Sequence, residues 1–388
     1  MCRLSRASRS LYYSYSLRGK VERAAKDLAL PDPKVYEQYI IQDENGLRVI
    51  WSEFSPLEPL ADDIRCGEKG SVANFLNFGV DPNSYTLGGQ RMLSLALQHF
   101  QEEIAELLLQ KGADPSLSDI HRPYDTPLCA AARSSLDNMA RRLLEAGSDP
   151  AKPTVIHELA RHCSLETIQM AIAKGADIFA IHPEKGTTVL HSAVKNEDYK
   201  VVPFFLASGL DGVVSRQNNR GRTCLWKALR LGNQNAIRMI LDSRINVHLT
   251  DDDGETALHK AALWGRQYAV RRLLEAGAQI DQRGLSGRTE PFCAVLGRNA
   301  NIVTMLLAAG CDPRLRTTTH QATLLHVAAV SNNLDILKML LGVIPDLVDT
   351  RDHLGRTVEM MGSSVSRPEI SKIVREFKNG GSMRCTIA

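Results

Sequence analysis

Apolar and small residues recur along this chain at a regular spacing. The stretch TALHKAALWGRQYAVRRLLEAGAQID, which begins at Thr256, contains two short runs with apolar residues three and four positions apart. The position that Thr256 holds, which we call the anchor of a unit, recurs at Glu58, Arg91, Thr126, Thr154, Thr188, Thr223, Thr289, Thr323 and Thr357. From Glu58 to Thr357 the chain advances 299 residues in nine steps, a mean near 33. Self-similarity at that period predicts a repeat array, although 388 residues would otherwise suggest two or three domains.

Each unit of this pattern predicts two short helices and a projecting turn. Thr256 is placed to cap the unpaired N–H groups of the first helix, and Ala261 and Ala262 allow first helices of neighbouring units to approach closely. Leu273 supplies an apolar face to the second helix, and Gly277 ends that helix in the left-handed conformation. Because one unit cannot bury its apolar face alone, about ten units must stack.

The motifs that open these units resemble ankyrin repeats. The matching segments are TPLCAAA at Thr126, TVLHSAV at Thr188, TALHKAALWG at Thr256 and TLLHVAA at Thr323. The resemblance covers residues 55–379 and implies an all-α fold, an ankyrin-repeat solenoid of about ten helix-turn-helix units with short hairpin loops. The first and last units diverge, as terminal units do because one side faces water. We expect residues 1–54 to form a partly flexible N-terminal segment and residues 380–388 a flexible tail.

Four departures from the repeat predict local irregularities. The unit at Thr154 begins only 28 residues after Thr126, so its projecting hairpin should be shortened. Pro203 falls inside a second helix and should distort it. Arg244 and Ile344 stand where most other units have Gly.

Composition and charge narrow the class of protein. Hydrophobic residues make up 44% and charged residues 23%, which excludes a wholly disordered chain. A net charge of +3 is too small for the whole chain to be a polyanion binder. We expect no transmembrane helix and no secretory signal, and the Arg- and Ser-rich first residues resemble a mitochondrial presequence or, as we favour, a solvated basic tail. Eight Cys without CxxC spacing indicate reduced thiols in an intracellular protein.

The sequence offers little support for catalysis. His157, Glu158 and His162 form HExxxH, one residue longer than the HExxH zinc helix, whose two His share a face. The fourth place of the unit, where His157 stands, is held elsewhere by His191, His259 and His326. A hydrogen-bonding role in the turn explains all four. With no phosphate-binding loop and no enzyme-sized stretch outside the repeats, we expect a protein that is not an enzyme and needs no cofactor or metal.

The resemblance also indicates where a partner would bind. Ankyrin arrays usually meet partners with their hairpin tips and the exposed ends of their first helices, here four, three and one positions before the anchor and seven and eight after it. Between anchors 126 and 223 the basic residues at these positions are Arg122, Arg133, Arg161, His162, Lys185, Lys195, Arg220, Arg222 and Arg230, against Asp125 and Glu184. The next unit is acidic through Asp252, Asp253 and Glu255. The later positions turn apolar with Leu263, Trp264, Leu285, Leu296 and Val330.

Two interpretations of this surface stay open. Charged faces are often merely solvated, and Trp264 can pack locally. The alternative is a groove whose basic half holds an acidic segment and whose apolar half supplies anchors. We expect a protein partner and no direct nucleic-acid binding, because no aromatic stacking platform or groove-reading helix accompanies the basic residues.

We therefore expect a monomeric, non-catalytic scaffold or adaptor in the nucleus and cytoplasm, with a transcription co-regulator or signalling regulator as the favoured variant. Leu263, Leu296 and Val330 hold the seventh position in three successive units, a pattern that resembles the ankyrin signal for import on Ran–GDP. One alternative is a farnesyl-tethered membrane adaptor, because the chain ends in a C-a-a-X box at Cys385. Another is a substrate adaptor of a ubiquitin ligase, because residues 28–51 faintly resemble the start of an F-box.

Overall fold

A computed structural model of the chain describes residues 40–43, 46–49, 58–77, 79–364 and 368–380. The part before the repeats contains a two-stranded antiparallel hairpin, in which β1 (Ile40–Asp43) pairs with β2 (Gly46–Val49). The β-branched residues of these strands and the Asn45-Gly46 dipeptide are typical of such hairpins. An F-box is built from helices, so the F-box resemblance is wrong for the described part of residues 28–51.

The described residues contain twenty α-helices in ten consecutive pairs, which confirms the predicted all-α repeat fold. In chain order the helices are α1 (Glu58–Cys66), α2 (Lys69–Asn77), α3 (Met92–Gln98), α4 (Glu102–Gln110), α5 (Pro127–Arg133), α6 (Asp137–Glu145), α7 (Pro153–His162), α8 (Leu165–Ala173), α9 (Val189–Ala193), α10 (Val201–Ala207), α11 (Cys224–Leu231), α12 (Gln234–Asp242), α13 (Ala257–Leu263), α14 (Gln267–Glu275), α15 (Glu290–Leu296), α16 (Ala300–Ala308), α17 (Leu324–Val330), α18 (Leu334–Val343), α19 (Val358–Ser364) and α20 (Pro368–Lys378). Short 3-10 turns at Leu210–Val213 and Pro345–Leu347 follow α10 and α18.

The chain divides into two compact units, and each is described here by itself. The first contains the described residues up to Pro183 together with Asn196–Val201. The second contains Glu184–Lys195 and the described residues from Val202 onwards. The first unit therefore holds α1–α8, and the second holds α9 and α11–α20.

Within the second unit, the first helices of successive repeats pack side by side. α13 contacts α11, α15 and its own partner α14. Leu258, Ala261 and Ala262 of α13 are buried at these contacts, and Val270 and Leu273 of α14 complete the same layer. The small residues thus occupy the close helix–helix contacts that the sequence predicted for them.

The predicted threonine caps form in some repeats and not in others. The side-chain oxygens of Thr126, Thr256 and Thr323 each accept the N–H of the third helical residue. The capping role predicted for Thr154 is wrong, because α7 begins at Pro153 and Thr154 lies inside this helix. The Thr154 hydroxyl instead donates to the carbonyl oxygen of Tyr124 at 2.7 Å. The missing residues before this repeat thus move its helix start two positions earlier, from residue 155 to Pro153.

The other irregular positions behave differently from one another. Pro203 lies in the first turn of α10, where no N–H needs an intrahelical acceptor, so the expected distortion inside a helix is wrong. Arg244 adopts the left-handed conformation of the Gly that it replaces, with φ of 57°. Ile344 has φ of −128°, is fully buried, and leads from α18 into a 3-10 turn.

Buried histidines join neighbouring repeats of the second unit. In His191, His259 and His326, Nδ1 accepts the backbone N–H of the threonine three residues earlier, at 3.2–3.3 Å. Nε2 then donates to a backbone carbonyl of the next repeat, that of Arg222 at 2.9 Å for His191 and that of Arg356 at 3.0 Å for His326. Burial lowers the pKa of His191 to about 4 and lowers the pKa of the other two below the usual range, so all three are neutral.

Among the described residues no helix combines the length and apolarity that a membrane span would require. Five of the six described cysteines are buried free thiols. Burial raises the pKa of the Cys224 and Cys293 thiols to about 12, which keeps them protonated and unreactive.

Candidate functional site

The basic residues of the first unit are partly neutralised by acids of the same surface. Arg122 and Arg133 both pair with the carboxylate of Asp125. The Nε of Arg133 also lies 3.7 Å from a carboxylate oxygen of Glu158. Arg161 lies half-buried in the last turn of α7. The positive charge that the sequence assigned to this region is therefore smaller than a count of arginines indicates.

The second unit presents basic side chains in two places. Lys185 and Arg220 are exposed on the hairpin tips of adjacent repeats, which the N–H of Asn219 joins by donating to the carbonyl of Lys185 at 3.2 Å. Arg230 is exposed in the last turn of α11, and Lys195 is half-buried just beyond α9. Within the described part of the chain, no carboxylate forms an ion pair with Arg220 or Arg230, so we call these two residues the basic pair.

Arg222 belongs to an ion-pair cluster and is not a loose surface charge. Its Nε lies 3.5 Å from the buried carboxylate of Asp251, to which Lys260 approaches within 3.9 Å. Lys260 pairs more closely with Glu255. The buried ring of Trp226 lies 5.9 Å from the Arg222 guanidinium carbon and 5.4 Å from the Lys260 nitrogen. Sequence analysis missed this cluster, because its members come from two repeats and are not adjacent in the chain.

An apolar row crosses the ends of three successive first helices of the second unit. Leu263 ends α13 and Leu296 ends α15, and both are half-buried. Val330 ends α17 and is 55% exposed. Trp264, directly after α13, is half-buried. These four residues are called the apolar row below, and they are four of the five apolar residues that the sequence analysis placed at partner-facing positions.

Other exposed apolar side chains flank this row. Leu285 is 77% exposed on the hairpin tip before α15, and Leu354 is 61% exposed on the tip before α19. Leu231, the residue after Arg230, is 48% exposed. The sequence analysis included Leu285, which lies four positions before its anchor. It missed Leu231, eight positions after an anchor, and Leu354, three positions before one, although both lie at the partner-facing positions that it defined.

The HExxxH residues do not converge on a common point. The Nε2 of His157 is hydrogen-bonded to the carbonyl oxygen of Ala180 at 3.2 Å. Glu158 lies near Arg133 and, at 3.9 Å, near the Nε2 of His162. In the described residues there is no group of three His, Cys, Asp or Glu side chains suited to a metal ion.

A buried carboxyl lies between two repeats of the second unit. Glu290, the first residue of α15, is fully buried, and its Oε1 lies 3.2 Å from Nδ1 of the equally buried His259. Its Oε2 accepts the N–H of Asp281 at 2.9 Å. Burial raises the pKa of Glu290 to about 8, so at neutral pH it is protonated. The sequence signal was an acid directly after the anchor, where the neighbouring repeats have Ala257 and Leu324.

Two sequence hypotheses fall outside the described residues. Cys385, the proposed lipidation site, belongs to residues 381–388, and most of residues 1–54 are likewise not described. Both hypotheses remain predictions.

Comparisons with known proteins agree with the repeat pattern. Three family models match: ankyrin repeats (many copies) at residues 156–206, ankyrin repeats (3 copies) at residues 212–284, and the single ankyrin repeat at residues 320–350. Among curated proteins, E3 ubiquitin-protein ligase KEG of Arabidopsis thaliana is 24% identical over 330 residues. That alignment covers 83% of this chain but 17% of the ligase, so the chain spans less than one fifth of the relative's length.

Proposed function

The chain belongs to the ankyrin-repeat family, and on that premise we propose that it is a non-catalytic scaffold or adaptor that binds a protein through its second unit. The contact surface of this proposal is the basic pair, Arg220 and Arg230, together with the apolar row. Arginine and tryptophan are among the residues that most often anchor protein partners, and the buried centre of an interface is more apolar than its rim.

One observation carries this proposal: the basic pair has no ion-pair partner in the described part of the chain, while Arg222 beside it has two. Charges that stabilise a fold are usually matched, whereas exposed and unmatched charges near apolar side chains suit a complementary surface. The flanking basic residues Lys185 and Lys195 extend the same sign of charge. The first-unit residues Arg122, Arg133 and Arg161 contribute less under this proposal, because two of them pair with Asp125.

Reversing the basic pair is expected to abolish partner capture without unfolding the protein. The tagged full chain and its Arg220→Glu/Arg230→Glu variant are used for affinity purification, and co-purified proteins are quantified by mass spectrometry. We expect at least a tenfold loss of specific partners, about 1.4 kcal/mol, with little change in melting temperature because exposed charges contribute little to folding. The matched control is Arg238→Glu/Arg271→Glu, at exposed positions of the second helices α12 and α14. Equal losses in both double variants, or none in the first, would refute this surface.

Within the scaffold role, we propose a transcription co-regulator or other signalling regulator that acts in the nucleus and cytoplasm. The support is the apolar seventh position of three successive repeats, which resembles the Ran–GDP import signal. The alternative of a ubiquitin-ligase substrate adaptor is supported by the similarity to the ligase of Arabidopsis thaliana, which carries a ligase name over a much longer chain. The farnesyl-tethered alternative is supported by the C-a-a-X box at Cys385 alone.

Localisation separates the import hypothesis from the tether. An N-terminal fluorescent fusion is expected in nucleus and cytoplasm, and Leu263→Arg/Leu296→Arg is expected to lower its nuclear fraction by half or more. Arg238→Glu/Arg271→Glu serves as the control for altered surface charge. Unchanged nuclear signal in the Leu263/Leu296 variant would refute import through the apolar row. A membrane-pelleted fraction that Cys385→Ser removes would establish the tether, and the same fraction in both proteins would exclude it.

A further inference from the structure

We propose that the second unit binds an extended segment of a partner protein that has apolar side chains at every third residue and a carboxylate three residues beyond them. The apolar side chains meet the apolar row, and the carboxylate meets Arg230. This inference deepens the proposed function and rests on it, because it names the chemistry of the partner for the same surface.

The spacing of the repeats sets the period of the segment. Arg230, Leu263, Leu296 and Val330 hold the same position in four successive repeats, whose first helices α11, α13, α15 and α17 pack against one another in that order. Neighbouring packed helices lie about 10 Å apart. An extended chain advances about 3.1–3.3 Å per residue, so three residues cover one repeat.

Apolar side chains on two rows favour an extended occupant over a helical one. The helix-end row carries the half-buried Leu263 and Leu296 and the exposed Val330, and the hairpin tips of the same unit carry the exposed Leu285 and Leu354. A polyproline-type segment has three residues per turn and presents one side chain per turn to each of two such rows. An α-helix advances about 10 Å in seven residues and presents one narrow stripe, which would leave the hairpin-tip leucines exposed.

Charge sets the chemistry at one end of the segment. The row changes from apolar to basic between Leu263 and Arg230, and no described carboxylate pairs with the Arg230 guanidinium. An Asp or Glu of the partner at that place would gain a charge-assisted hydrogen bond that the protein itself does not supply. A neutral residue there would bury part of the guanidinium without a partner. The preferred segment is therefore acidic at one end and apolar along the rest.

Selection from a peptide library tests the period without assuming a sequence. A phage-displayed library of random 16-residue peptides is selected against the immobilised full chain. The expected result is enrichment of apolar residues at three positions separated by three, with Asp or Glu three residues beyond one end. Enrichment of a seven-residue helical period, of sequences without an acid, or of no common pattern would overturn the proposal.

A double-mutant cycle then tests the contact with Arg230. An enriched peptide and its acid-to-Ala version are labelled with fluorescein, and their binding is measured by fluorescence anisotropy to the wild type, to Arg230→Glu and to the control Arg238→Glu. We expect Arg230→Glu to weaken the acidic peptide at least tenfold and the Ala peptide by less than twofold. Equal weakening of both peptides would overturn the contact. Loss of native partners in the Arg220→Glu/Arg230→Glu variant would still support the proposed function if the three-residue period fails.

Discussion

Replacing Gly297 by Ala is expected to destabilise the second unit by about 3 kcal/mol. A Cβ at this position would overlap the carbonyl oxygen of Leu263 in the preceding repeat and lie 2.9 Å from its carbonyl carbon. Those are backbone atoms of a packed helix end, so they cannot move aside as a flexible side chain can. The φ of Gly297 is −74°, which any residue adopts, so the cost comes from the steric overlap and not from backbone strain.

Urea unfolding followed by tryptophan fluorescence measures this cost, because Trp226 and Trp264 both lie in the second unit. Gly212→Ala, in the 3-10 turn that follows α10 in the same unit, is the matched control, since Gly212 also lacks a positive φ and a Cβ there would meet nothing within 4 Å. That control should leave stability equal or raise it by up to about 1 kcal/mol. A Gly297→Ala variant as stable as the wild type would contradict the tight contact between α13 and the turn after α15.

The stability of the second unit is expected to fall as pH rises from about 6.5 to 8, and Glu290→Gln is expected to remove this fall. The folded protein keeps the proton of Glu290 up to its raised pKa of about 8, whereas the unfolded chain releases it near the ordinary value of 4.5. Between these values the folded state binds more protons than the unfolded state. The stabilising contribution is therefore complete below 4.5 and is lost as pH rises, at up to about 1.4 kcal/mol per pH unit.

The buried histidines act in the opposite sense. Burial lowers the pKa of His191, His259 and His326. Below about pH 6.5 the unfolded chain therefore binds protons at these histidines that the folded chain does not bind. Their contribution is present above pH 6.5 and is lost as pH falls towards 4. In the wild type the two effects oppose each other between about 4.5 and 6.5, so the loss due to Glu290 is most visible between 6.5 and 8.

Urea midpoints at intervals of half a pH unit separate these effects. Glu290→Gln keeps the size of the side chain and an oxygen that can accept the N–H of Asp281, as Oε2 of Glu290 does at 2.9 Å. It should match the wild type near pH 5 and exceed it by several kcal/mol near pH 8. Glu275→Gln, at an exposed position of α14, is the control and should reproduce the wild-type profile. If the wild type and Glu290→Gln show parallel profiles from pH 6.5 to 8, Glu290 is ionised in the folded protein.

The repeat pattern predicted those parts of the fold that depend on neighbours in the sequence. Thr256 and His259 are three residues apart, so their shared role at a helix start could be inferred from TALH alone. Thr154 was placed wrongly because the alignment carried over a cap across a deletion, while the helix started at Pro153, whose fixed φ suits a first helical position. The N-terminal hairpin lay outside the repeat and therefore outside the pattern that carried the prediction.

The candidate site was less predictable, because charge pairing depends on residues from different repeats. Arg222 seemed equivalent to Arg220 in the sequence, yet only Arg222 reaches Asp251, which lies 29 positions later. Glu290 shows the same limit, since the His259 ring that lies 3.2 Å from it belongs to the preceding repeat. Exposure was easier to foresee: Val330 and Leu285 are exposed at the repeat positions that the resemblance assigned to a partner.

The bonds from the buried histidines have a consequence for how such a chain can change. Each Nε2 donates to a backbone carbonyl of the next repeat, as His191 does to Arg222 and His326 does to Arg356. A backbone carbonyl is present whatever side chain the residue carries. The hydrogen bond between repeats therefore does not depend on which amino acid supplies the carbonyl. The hairpin residues at that position can be exchanged without loss of this hydrogen bond. Side-chain atoms of these residues can thus recognise a partner, while their backbone carbonyls hold neighbouring repeats together. A new binding specificity therefore requires no new contact between repeats.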